Sequence, residues 1–131
     1  IDNTTLQDLF ELRLVLEMGL ADLLYIRKNE QDVAVLESIA DNEIVGDHFR
    51  VQNEIAFHGK LYEMTGNVTL MQFQTLLLPV FAYLIKLENK KHITGQINHK
   101  QLVHILKTGT KEDFKEGMLA HLQPHFDRLQ K

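Results

Sequence analysis

Leu6-Gln7-Asp8-Leu9-Phe10-Glu11-Leu12-Arg13-Leu14-Val15-Leu16-Glu17-Met18-Gly19-Leu20-Ala21-Asp22-Leu23-Leu24 is the run that decides the fold class. Leu6, Leu9, Phe10, Leu16, Leu20, Leu23 and Leu24 return at three- and four-residue steps, the period of an apolar face on an α-helix. Gln7, Asp8, Glu11, Glu17 and Asp22 fall largely between them. The helix should stop near Lys28–Asn29, where a cationic last turn suits the helix dipole and Asn29 can cap the next helix.

The same period continues outward along the chain. A shorter helix is expected from Gln31 to Asn42, with Val33, Leu36, Ile39 and Ala40 inward. A third runs from Asp47 to Met64, carrying Phe49, Ile55, Phe57, Leu61 and Tyr62. Thr65-Gly66-Asn67 then reads as a stop and restart, with Gly for a left-handed end and Asn as an N-cap. The fourth helix, Val68 to Lys90, is apolar on most faces, so it is either central or at a subunit interface, and Pro79 should kink it. A loop near Thr94–Gly95 leads to a fifth helix ending at Thr108. Thr110 and Asp113 form a capping pair for the last helix, whose inward face is Phe114, Met118, Leu122, Phe126 and Leu129. The predicted architecture is all-α: an antiparallel bundle of about six helices, one domain over residues 1–131.

Composition narrows the function classes. With no cysteine there is no disulfide, thiolate metal site or cysteine nucleophile, which fits a reducing, cytoplasmic compartment. A formal net charge of −4 and no basic stripe argue against the chain gripping DNA by itself. Nothing between Glu63 and Lys86 is charged, yet the dense apolar part runs only from Leu76 to Ile85, well short of the roughly 20 residues a membrane span needs. The expectation is a buried helix and no membrane. The chain opens on Ile1 with no secretory leader after it, so it is expected to be a piece of a longer soluble protein. Enzyme signatures such as H-E-x-x-H, a P-loop, G-x-S-x-G and paired E-x-x-H are missing.

The chemistry-bearing residues are histidines. Glu54 and His58 are four apart and share a helix face. His99 and His121 are equidistant from Thr110, so across an antiparallel hairpin they lie level and can face each other. Together these four offer one carboxylate and three imidazoles, a donor set suited to zinc, and also to nickel, iron or manganese. Histidines merely packed and hydrogen-bonded in a core would produce the same spacing. Glu88 with His92 and His121 with His125 are competing pairs, read as solvated charge and as solvent-facing at His125. His48 and His104 are assigned no function, and the four methionines are read as core filler.

Phe10-Glu11-Leu12-Arg13 with Leu16-Glu17 resembles the start of the FadR C-terminal (FCD) effector domain of GntR-family bacterial transcription regulators. Glu54-Ile55-Ala56-Phe57-His58 is similar to that family's D-x-x-F-H signature, and Thr65-Gly66-Asn67 to the turn after it. Asn98-His99 with Gly109 and Met118-Leu119-Ala120-His121-Leu122 resemble its E-H before a Gly-Asp turn and its M-x-x-H-L. The resemblance implies a helical bundle that dimerises and binds a small carboxylate metabolite. It also implies a divalent metal on Glu54, His58, His99 and His121 and a winged helix-turn-helix DNA-binding domain, absent from this chain, on the N-terminal side.

Glu54 stands where the family has Asp, which lengthens that ligand by a methylene; Asn98 and Thr110 replace acidic residues. On this reading the chain is not an enzyme but the sensing half of a repressor or activator. An organic acid would take the open metal positions, its remaining charge met by Arg13, with Asn67 a second candidate. Arg13 could equally pair with a glutamate inside the first helix. The alternatives are a metal-dependent helical hydrolase and a metal-free ligand-binding or dimerising domain.

Overall fold

The structure is a computed structural model that describes residues 2–89 and 97–129, except for the side chains of 3, 78–81, 84–89, 125, 126, 128 and 129. The described residues form six α-helices and no strand: α1 (Asn3–Arg27), α2 (Glu30–Asp41), α3 (Arg50–Met64), α4 (Val68–Asn89), α5 (His99–Thr108) and α6 (Lys111–Leu129). A single 3₁₀ turn, Asp47–Phe49, leads into α3, so the helix expected from Asp47 becomes α-helical at Arg50.

Polar side chains at the ends account for the boundaries. Asp2 accepts from the Thr5 N–H and Asn29 from the Asp32 N–H, starting α1 and α2. Gly66 takes φ 69°, the left-handed region that lets the chain leave α3, and Asn67 then accepts from the Leu70 N–H to start α4. Asn98 and Gln101 form a reciprocal capping box on α5, and Thr110 and Asp113 form another on α6. α4 runs on through Pro79 as one helix, while the loop around Thr94–Gly95, His92 and the side chains of Glu88, His125, Phe126 and Leu129 lie outside the described residues or side chains.

α1 packs most extensively on α6, α3 on α4 and α2 on α5. Tyr25 near the end of α1 donates to the carbonyl of Gly109 and faces the Phe114 ring, so α1 and α6 run in opposite directions. One core unites Leu20, Leu24, Leu36, Phe57, Leu61, Leu102, Leu106, Phe114, Met118 and Leu122. In α1 the buried stripe is narrower than the apolar periodicity suggests. It runs Leu6, Phe10, Arg13, Glu17, Leu20, Leu24, while Leu9, Leu16 and Leu23 are only half-buried. Its steps of four and three residues are those of a helix seam, and two of its six members are charged.

α4 lies against α3 and α1 and leaves Val68, Phe73, Leu76 and Tyr83 exposed. No described helix is long and apolar enough to cross a membrane.

Candidate metal centre

Three helices bring four donors to one point. Glu54 and His58 stack a turn apart on α3; His99 opens α5, and His121 sits level with it on α6. The four ligand atoms all lie within 4.8 Å of one another, and the three histidines are buried. His58 Nε2 is 3.3 Å from His121 Nε2 and 3.2 Å from Glu54 Oε2. Glu54 Oε1 is 2.9 Å from His99 Nε2 and 3.7 Å from His121 Nε2. Donors about 2.0–2.1 Å from a tetrahedral zinc are spaced by about 3.3–3.4 Å, so these separations have the scale of a coordination shell.

The far nitrogen of each imidazole decides what the near one can do. His121 Nδ1 lies 2.6 Å from the carbonyl of Ile97, which only accepts, so that nitrogen carries the hydrogen. His99 Nδ1 lies 2.5 Å from Glu43 Oε2, and His58 Nδ1 contacts Glu17 Oε1. A carboxylate beside each Nδ1 fixes the same tautomer in both. Three Nε2 atoms therefore converge beside the Glu54 carboxylate, each able to ligate through its lone pair when the imidazole is neutral. His99 Nε2 is buried and faces Glu54 Oε1. Three neutral imidazoles facing a carboxylate in this way repel one another unless a cation or protons occupy the centre. The Phe57 ring stacks on His99 at 4.1 Å and 9°, holding the plane of that imidazole.

Arg13 and Glu17, the charged pair of the α1 stripe, form the floor. Arg13 Nε donates to Glu17 Oε2 at 2.9 Å and Nη2 to Glu54 Oε2 at 3.0 Å, with Arg13 3% and Glu17 0% exposed. Glu17, Glu54 and Glu43 set three negative charges against one guanidinium among the described residues. Burial pushes the Glu17 carboxyl up, but Arg13 and His58 overcome it and hold the group at about 2. Glu54 is likewise penalised by burial and held well below the usual carboxylate range by His58 and His99. Burial pushes His99 down, but Glu54 and Glu43 raise it to about 9; His58 is raised by Glu17 and Glu54 against the same penalty. Burial leaves His121 lowered, with His58 and His99 adding to that effect. The negative charge of the cluster thus draws protons onto His58 and His99 when no other cation neutralises it.

All four residues expected as ligands meet, whereas the two expected to bind an effector have different surroundings. Arg13 takes the intrahelical pairing with Glu17 and adds Glu54. Asn67 is exposed and uses its side chain to cap α4. His48 and His104 are exposed.

Sequence reasoning missed Glu17, Glu43 and the Ile97 carbonyl. The α1 stripe carries a signal for Glu17, since Leu6, Phe10, Arg13, Glu17, Leu20 and Leu24 keep an unbroken four-three step. Glu43 lies between helices and has no periodic signal.

Residues 8–124 match the FCD domain family. The chain is also 33% identical over 141 aligned positions to the Nta operon transcriptional regulator of Aminobacter aminovorans. That alignment takes in 98% of this chain and 63% of the relative, so the chain spans less than two thirds of the regulator's length. No solved structure matches.

Proposed function

This chain belongs to the FCD domain family, and on that premise we propose that it is the ligand-sensing part of a transcription regulator that holds a divalent metal on Glu54, His58, His99 and His121. The carrying observation is that three Nε2 atoms converge beside a carboxylate, each ring oriented by an acceptor on its opposite nitrogen. The charge balance supports the same reading, because the two negative charges left over in the cluster match one divalent cation. Imidazole-rich donors favour zinc, with nickel, iron and manganese as the competitors. The regulator relative and the family support a regulatory, non-catalytic role.

Bound metal would supply a Lewis-acidic position for an organic acid. Arg13 is the basic residue for that acid: its guanidinium is 3.0 Å from Glu54, on the rim of the donor set. Asn67 is spent on the α4 cap, so the reading rests on Arg13. The exposed apolar side chains of α4, Val68, Phe73, Leu76 and Tyr83, suit a homodimer face. DNA contact belongs to a winged helix-turn-helix domain outside this chain, and the cytoplasm is its expected compartment. An acid that binds two arrangements of the bundle unequally would change DNA affinity, typically by 1–3 kcal/mol.

The test is metal content by mass spectrometry on tag-free protein beside the double variant His99→Ala/His121→Ala. About one equivalent in the parent and little in the variant is the expected result. No metal in either, after incubation with zinc, nickel and manganese, would overturn the reading and leave a metal-free sensor.

A further inference from the structure

Two carboxylates outside the donor set touch ligand imidazoles, and they are held in very different ways. Glu17 is clamped by Arg13 inside the rigid α1 stripe. Glu43 sits two residues past the end of α2, with its side chain 25% exposed, on the connection that crosses to α3. Beyond it the connection is open to solvent: Ile44 is half exposed, Val45 is 96% exposed, and Gly46 turns the chain at φ 121°.

The Asn53 side chain ties this connection to α3. Asn53 Nδ2 donates to the Ile44 carbonyl at 2.9 Å, and the Ile44 N–H donates back to Asn53 Oδ1 at 3.4 Å. Asn53 immediately precedes the ligand Glu54 on α3, so the turn that carries Glu43 is tied to the helix that carries half the donor set.

We propose that Glu43 is a positioning residue for His99, and that Asn53 is the latch that keeps it there. This rests on the metal reading above. Glu43 Oε2 at 2.5 Å from His99 Nδ1 fixes the tautomer whose Nε2 lone pair faces Glu54. Phe57 sets the plane of the His99 ring by stacking, but a half-turn about Cβ–Cγ preserves that plane while exchanging nitrogen for carbon, and the Glu43 contact at Nδ1 selects the orientation that points Nε2 at Glu54. Because the connection is exposed and the ligand is buried, the segment around Ile44 and Val45 becomes the part of the surface mechanically joined to the metal. Linkage makes the coupling reciprocal: whatever steadies the turn tightens the metal, and metal steadies the turn.

The experiment measures zinc affinity of the full chain by competition with a chromophoric chelator, with cobalt(II) spectra and amide hydrogen exchange as further readouts. Glu43→Ala is expected to weaken zinc about 10–100-fold and to displace the cobalt(II) absorption bands, with Glu43→Gln restoring most of both because its amide oxygen still accepts. Asn53→Ala, which touches no ligand, is expected to weaken zinc in the same direction by less. The double variant should be no worse than Glu43→Ala alone, since both act through one contact. Zinc should slow exchange at the Ile44 amide in the parent and not in Glu43→Ala. Circular dichroism checks that each variant keeps its helices. A parent that binds zinc with Glu43→Ala unchanged in affinity and spectrum overturns this inference alone. A parent that takes up neither zinc nor cobalt overturns the metal reading and this inference with it.

Discussion

Glu17 shows how much one side chain carries here. It is fully buried, bonded to Arg13 on one oxygen and against His58 on the other, so its removal leaves the His58 Nδ1–H without its acceptor in the core and Arg13 with Glu54 in place of two carboxylates. Breaking one side of a buried pair typically costs about 3–5 kcal/mol, so Glu17→Ala should lower the urea midpoint of the metal-free protein by a corresponding amount. Glu17→Gln, which retains an acceptor, should lose less. With the carboxyl held at about 2 against an ordinary value of 4.5, this stabilisation is fully present above pH 4.5 and is lost as the pH falls through about 2.

His99 supplies a second prediction at the same scale. Raised to about 9, it carries a proton at pH 7 in the metal-free protein, and a ligating imidazole must give that proton up. Zinc binding at pH 7 should therefore release at least one proton, seen as a dependence of calorimetric heat on buffer ionisation enthalpy. A heat independent of buffer would count against His99 as a ligand.

At the scale of elements, the end of α3 combines a backbone requirement with a long-range contact. Gly66 sits at φ 69°, and the Arg27 Nη1 at the end of α1 contacts the Thr65 carbonyl that closes α3. Gly66→Ala forces a Cβ into the left-handed region and should destabilise the protein by about 1–2 kcal/mol in denaturant melts, whereas Gly66→Asn should lose less. The caps at Asn29, Asn67 and Thr110 were legible as isolated residues because a cap is a local bond between a side chain and an amide three residues on. The inward face of α1 was not, since the leucines are numerous enough to support a broad apolar face. Only the packing of α3 and α6 selects which stripe is buried.

For the whole molecule, rising pH should lower the stability of the metal-free form and widen the increment that zinc adds to it. His58 and His99 are raised above their ordinary value of 6.5, so the stability they contribute is complete below pH 6.5 and lost as pH rises through their folded values, about 9 for His99. The melting temperature of chelator-treated protein should fall between pH 6.5 and 9. Zinc competes with fewer protons as pH rises, so its stabilising increment should widen across the same interval. Parallel melting curves with and without zinc at pH 6.5, 7.5 and 8.5 decide it, and a constant gap would argue against imidazole ligation.

What the sequence determined by itself was the helical class, most of the starts and stops, and two pairs of candidate donors. Glu54 and His58 follow from the helical repeat, and His99 and His121 from hairpin symmetry about Thr110. Each of these pairings is a matter of spacing along the chain, which helical hydrogen bonding converts into position, while bringing α3 against the α5–α6 hairpin took tertiary packing. Tertiary structure alone decided that Arg13 and Glu17 turn inward, that the Ile97 carbonyl orients His121, and that Glu43 orients His99. Those contacts join segments 24 to 56 residues apart or place charge in a core, and their energy exists only once the helices have packed and water has been excluded.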